Sequence, residues 1–124
     1  MREAIRVTYP TKYASADGIV KFSRYQATGE IAFEVWDAVE FEPMYRPSVT
    51  IVDWGARLAD PEKGEVWIKT WSENQGVLEA LIKADIIEFA GEAVMSPFGT
   101  PCCAVLCRLT PAAFAHFRRE VELA

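Results

Sequence analysis

Apolar and polar positions alternate most cleanly between Glu30 and Glu42. Read at period two, Ile31, Phe33, Val35, Val39 and Phe41 fall on one face. Glu30, Glu34, Glu40 and Glu42 fall on the other, with Trp36 among them. The pattern predicts a half-buried β-strand, with its apolar face against a core and its carboxylates in water. Asp37 interrupts the apolar face, so a bend is expected near Trp36–Asp37, where a bulge would restore the register.

The same test places further strands at residues 4–9, 19–26, 48–54, 65–71, 86–95 and 102–109. Pro10 ends the first, because proline cannot donate to a ladder. Asp17-Gly18 predicts a turn before the second, and Ala27-Thr28-Gly29 a tight hairpin into the acidic strand. Pro43 and Pro47 bracket a connector, and residues 55–64 read as a loop between glycines. Ser72 followed by Gln75 fits a capping box. Val77, Leu78, Leu81 and Ile82 then form an apolar stripe at helical spacing, in a helix expected to run to about Ala84. Thr110-Pro111 predicts a second helix start, a hydroxyl cap followed by proline in the first turn. Phe114, Phe117 and Val121 make its buried stripe. The order of elements predicts an α+β fold: a mainly antiparallel sheet of about five to seven strands packed with two helices, in one domain spanning 1–124.

Composition narrows the function classes. The chain has 124 residues, 51 % hydrophobic and 25 % charged, which is ordinary for a globular domain and argues against disorder. The net charge of −5 disfavours direct nucleic-acid binding, which needs a basic surface to neutralise phosphates. No apolar run approaches the roughly 18 residues of a membrane span. The start, M-R-E-A-I-R-V-T-Y-P, carries charges where a signal peptide has its apolar core. Cys102, Cys103 and Cys107 are odd in number and clustered, which argues against a disulfide framework. A cytoplasmic location is expected.

Candidate chemistry follows from particular residue types. Side chains two apart on a strand lie about 6–7 Å apart, close to the spacing of successive phosphates. Glu40 and Glu42 can therefore mimic a phosphate pair toward an Arg/Lys groove, with Trp36 as an aromatic anchor. The competing reading is a solvated sheet face whose glutamates discourage edge-to-edge aggregation. The three cysteines with His116 form a formal zinc set, but their apolar surroundings favour a core role. His116, between Phe114 and Phe117, reads as a half-buried or exposed helix position. Trp54, Trp67 and Trp71 can line a pocket with Tyr9, Tyr13 or Tyr25, or fill the core. No phosphate-binding glycine motif and no catalytic motif is present.

The stretch G-E-V-W-I-K-T-W-S-E-N-Q-G-V-L-E-A-L (Gly64–Leu81) and the later P-F-G-T-P-C-C-A-V-L-C-R-L resemble a family of small uncharacterised proteins carried by phages, plasmids and other mobile elements. The resemblance covers roughly residues 50–110 and implies no activity and no catalytic residue. Lys69, Glu73 and Asn74 are the positions to watch, with helix capping as the structural reading. What the resemblance implies is context: small acidic proteins of mobile elements often bind host machinery, anti-CRISPR and other anti-defence inhibitors among them. The resulting expectation is a non-enzymatic, cofactor-free and metal-free accessory protein. It would offer Glu30, Glu34, Trp36, Glu40 and Glu42 to a host protein with a basic surface. Replacing the four glutamates with alanine should then slow association without unfolding the domain. The alternative is a small-ligand module or enzyme with an aromatic pocket between sheet and helix; a structural oligomer with an apolar patch is a third class.

Overall fold

The computed structural model describes residues 5–10, 15–70, 76–97 and 103–122. The first four strands, β1 (Ile5–Pro10), β2 (Ser15–Arg24), β3 (Ile31–Asp37) and β4 (Pro43–Tyr45), make an antiparallel sheet in sequence order. The turn expected at Asp17-Gly18 does not form. β2 runs through both residues, with Gly18 paired to Val7 on one side and Asp37 on the other. The hairpin at 27–29 does form. Tyr25 N–H donates to Glu30 C=O and Gly29 N–H to Tyr25 C=O, at 2.9 and 2.8 Å. Gly29 takes φ of 77°, a left-handed conformation that costs glycine nothing.

Three further strands, β5 (Glu65–Lys69), β6 (Ile87–Met95) and β7 (Cys103–Leu109), form a second antiparallel sheet in the order β5-β7-β6. The strand expected over 48–54 is absent. Only Ser48 makes a bridge, to Ile68, and Val52–Trp54 is a 3-10 turn closed by Gly55 at φ 81°. Local turn bonds replace the ladder there: Trp54 N–H donates to Ile51 C=O at 2.9 Å and Gly55 N–H to Val52 C=O at 3.1 Å. Ser48 links the two sheets. Its buried hydroxyl accepts from Phe33 N–H at 3.0 Å, on the side of β3 away from β2 that β4 does not reach, and its carbonyl accepts from Tyr25 Oη at 3.0 Å.

Helix α1 (Val77–Lys83) buries Val77 and Leu81 and leaves Ile82 exposed. Its expected Ser72–Gln75 capping box lies outside the described residues. Helix α2 (Pro111–Phe117) starts as the residues predict. Thr110 Oγ1 accepts from Ala113 N–H and donates to Asp85 C=O at 2.8 Å, tying the helix start to the end of α1. A π-helical turn, Arg118–Glu122, follows. One apolar cluster takes in Val20 and Phe33 of the first sheet, Ile68 and Cys107 of the second, Leu81 of α1 and Phe117 of α2. A smaller cluster around Ile51, Trp67 and Leu106 covers the other face of the second sheet. Buried on both faces, β7 reads as an almost unbroken apolar run. The fold is α+β, with seven strands and two α-helices among the described residues; the strands divide into two sheets rather than forming one.

Candidate functional site

The segment 30–42 is not one strand. β3 ends at Asp37, and the chain reverses to lay β4 back against it, pairing Val35 with Tyr45 and Trp36 with Pro43. Asp37 makes the reversal. Its Oδ1 accepts from Val39 N–H and Glu40 N–H, both at 2.8 Å, an Asx turn in which the side chain replaces a backbone acceptor. Its backbone closes the loop, with Asp37 N–H donating to Glu42 C=O and Phe41 N–H donating to Asp37 C=O. The break in the apolar face at position 37 was the available signal. Val39 and Phe41 resumed the alternation and hid the turn.

The five expected contact residues consequently separate. Glu30 is 2 % exposed, and its Oε2 accepts from Ala59 N–H at 3.0 Å. It pins the loop 55–64 to the start of β3 and offers nothing to a partner. Glu34 faces outward but lies between two cations: Lys21 is its cross-strand neighbour on β2, and Arg46 Nη2 stands 3.6 Å from its carboxylate. Trp36 is half-buried, with Lys21 Nζ 4.8 Å from its ring centroid and its indole N–H shut from water. The outer face of the sheet is therefore mixed in charge. Glu40 and Glu42 alone of the four glutamates stand free in water, at the β3–β4 tip.

That tip also carries Val39 and Phe41, which the alternation assigned to the core, and Met44 of the expected connector. Val39 is 78 % exposed, Phe41 62 % and Met44 47 %. Phe41 takes φ of 56°. A bulky residue in the left-handed region costs about 1–2 kcal/mol of backbone strain, and an exposed ring recovers none of it by burial. The tip thus presents an aromatic ring flanked in sequence by two glutamates, on a turn held by four hydrogen bonds of Asp37.

Other candidates resolve into structure. Cys107 is buried in the main cluster, and burial pushes its thiol up to about 12, far from a nucleophile at neutral pH. Cys103 is half-buried, and Cys102 lies outside the described residues. His116 is buried, not half-buried or exposed, with Nδ1 2.9 Å from Glu120 Oε1; the other oxygen of Glu120 accepts from Phe22 N–H. Among the described residues no group of three or more His, Cys, Asp or Glu side chains could hold a metal ion. Trp67 is buried, its indole N–H donating to Arg57 C=O at 3.1 Å, and Trp54 packs in the smaller cluster. Trp71 lies outside the described residues, as do Glu73 and Asn74; Lys69 ends β5. A cavity between sheet and helix does exist, but neither Trp54 nor Trp67 lines it.

Sequence reasoning missed the clamp on the loop 55–64. Arg57 forms a two-pronged pair with Glu65, at 2.8 and 3.2 Å, and reaches Glu92 of β6 at 2.8 Å. Hydrogen bonds from the guanidinium hold the Glu65 carboxyl below its ordinary range against the opposing effect of burial. No pattern in the sequence joins residues 57, 65 and 92.

No family model, no curated protein and no solved structure matches the chain. Among the described residues no helix is long and apolar enough to cross a membrane.

Proposed function

We propose that this chain is a non-enzymatic protein-binding protein whose working surface is the β3–β4 tip. The observation that carries the reading is Phe41: a 62 % exposed aromatic held at φ 56° between Glu40 and Glu42. Strained backbone opposes folding and exposed apolar surface does nothing to offset it, and both recur where a fold presents a group to a ligand. The complementary partner surface is an apolar pocket rimmed by Arg or Lys. Phe41, with Val39 and Met44, supplies buried area; Glu40 and Glu42 steer the encounter and set its salt dependence. A host protein with a basic nucleic-acid groove has that chemistry. With the resemblance to mobile-element proteins, this makes anti-defence inhibition in the cytoplasm the specific form of the proposal. Glu30, Glu34 and Trp36 are not part of the contact.

The four-glutamate alanine variant is the wrong probe, because Glu30 is a structural pin. The informative variants are Phe41→Gly and Glu40→Ala with Glu42→Ala. Glycine accepts the left-handed backbone, so Phe41→Gly keeps or raises the melting temperature while deleting the ring. Affinity capture from a bacterial lysate should retain a partner on the wild type at low salt. Phe41→Gly should lose it, and the double glutamate variant should retain it less as salt rises. Equal capture by all three baits would remove the tip from the mechanism.

A further inference from the structure

A groove of about 650 Å³ lies between β1 and α1, within the range of volumes that ligand sites occupy. Its sheet wall is Arg6, Val7 and Thr8 of β1 with Asp17 of β2. Among the described residues β1 is an edge strand, paired to β2 on one side only. An edge strand turns alternate backbone N–H and C=O groups outward, ready to pair with another chain.

The charges on the two walls share one repeat. Arg6 and Thr8 point outward two residues apart, and Thr8 pairs with Asp17, its Oγ1 donating to Asp17 Oδ1 at 3.3 Å. A cation and an anion therefore stand one i,i+2 step apart on the sheet wall, about 7 Å along the strand. On the helix wall Glu79 and Lys83 are four residues apart, about 6 Å along the axis. Both spacings match the distance between same-face side chains of an extended chain. Ala80 and Ala84, also on the helix wall, keep that side low and leave room for a side chain.

We propose that this groove binds an extended peptide, which adds to β1 as a further strand and is read through one basic and one acidic side chain two residues apart. The backbone edge supplies sequence-independent hydrogen bonds. Asp17 and Arg6 meet the base and the acid where the pair turns to the outward face of the sheet, and Glu79 and Lys83 meet them where it turns toward α1. The groove and the β3–β4 tip meet at Asp17, whose carbonyl accepts from Ala38 N–H at 3.1 Å. The peptide site nevertheless uses none of the tip's side chains, and it stands or falls independently of the function proposed for the tip.

The test is titration of the full chain, followed by amide NMR shifts. The probes are blocked octapeptides of alternating valine and threonine carrying a lysine and a glutamate two residues apart, in both orders. One order should bind saturably and shift amides of residues 5–9 and 76–84. Placing the charges three residues apart puts them on opposite faces of the peptide and should weaken binding. Methylating the peptide nitrogens that face β1 should weaken it by about tenfold, the loss of one or two main-chain hydrogen bonds. Arg6→Glu with Lys83→Glu replaces two exposed residues; it should leave melting unchanged and abolish binding, while Phe41→Gly should bind as the wild type does. No saturable binding in either order, equal binding of the methylated peptide, equal binding of free lysine and glutamate, or shifts centred on residues 37–45 would each overturn the proposal.

Discussion

Residues 30–36 and 37–45 are made of the same kinds of side chain, glutamates among aromatic and aliphatic neighbours, and they meet opposite fates. In the first stretch Ile31, Phe33 and Val35 are buried, and even Glu30 is closed off from water. In the second, Val39, Phe41 and Met44 stand out in solvent with Glu40 and Glu42. The difference is cover. Across from Phe33 stands Phe22, ring centroids 5.8 Å apart, and Phe117 of α2 packs on Phe22 in turn. Over Glu30 lies the loop that carries Ala59. Beyond Asp37 the chain touches β2 only through Ala38 N–H on Asp17 C=O, among the described residues, and turns back into the short β4, which leaves Val39, Phe41 and Met44 uncovered. Alternation states which residues share a face; it does not state that anything will cover that face.

The largest effect expected from this contrast is in the core. Phe33→Ala should cost about 3–5 kcal/mol, since it empties a fully buried ring site. Val39→Ala, in the same register by sequence, should stay within about 0.5 kcal/mol. Urea denaturation of the two variants checks both, and comparable losses would break the distinction between covered and uncovered halves.

The carboxylates give a smaller version of the same contrast. Glu30→Ala should cost about 1–3 kcal/mol by leaving the buried Ala59 N–H without its acceptor. Glu30→Gln, whose amide oxygen can still accept that bond, should cost less than Glu30→Ala. Glu40→Ala and Glu42→Ala should each fall within about 0.5 kcal/mol. Thermal melts of the four variants at neutral pH rank them directly.

Glu65 extends the rule to a third kind of acid, buried and paired. Arg57→Ala should cost about 1 kcal/mol at neutral pH, a modest figure because the guanidinium is half exposed and screened. Arg57 holds the folded-state pKa of Glu65 below its ordinary value. The pair's stabilisation is therefore present above the unfolded pKa of about 4.3 and fades as pH falls through the lower folded value. Wild type and Arg57→Ala should converge in stability in acid. A gap that persists there would assign the remaining role of Arg57 to the packing of its side chain.

Much of the scaffold was legible in the chain. The hairpin at 27–29 follows from glycine's access to positive φ, and the start of α2 from a hydroxyl that can accept Ala113 N–H just before a proline. The stripe Val77, Leu81 follows from helical spacing. The Asp17-Gly18 turn was misread because pairing on both sides of β2 outweighs a local turn preference. The candidate site was half legible. Glu40 and Glu42 were named, but Phe41 was assigned to the core, because a ring that continues an apolar alternation carries no local mark of exposure.

What the sequence by itself determined is local: where most of the strands lie, which side chains share a face, and the antiparallel α+β character. Those properties depend on neighbours within a few residues, through backbone sterics, capping and side-chain period. Only the tertiary structure decided that the strands divide into two sheets joined at Ser48, that Glu30 is a pin while Glu40 and Glu42 are free, and that Arg57, Glu65 and Glu92 meet. Each of those outcomes depends on which distant segment takes a surface out of water.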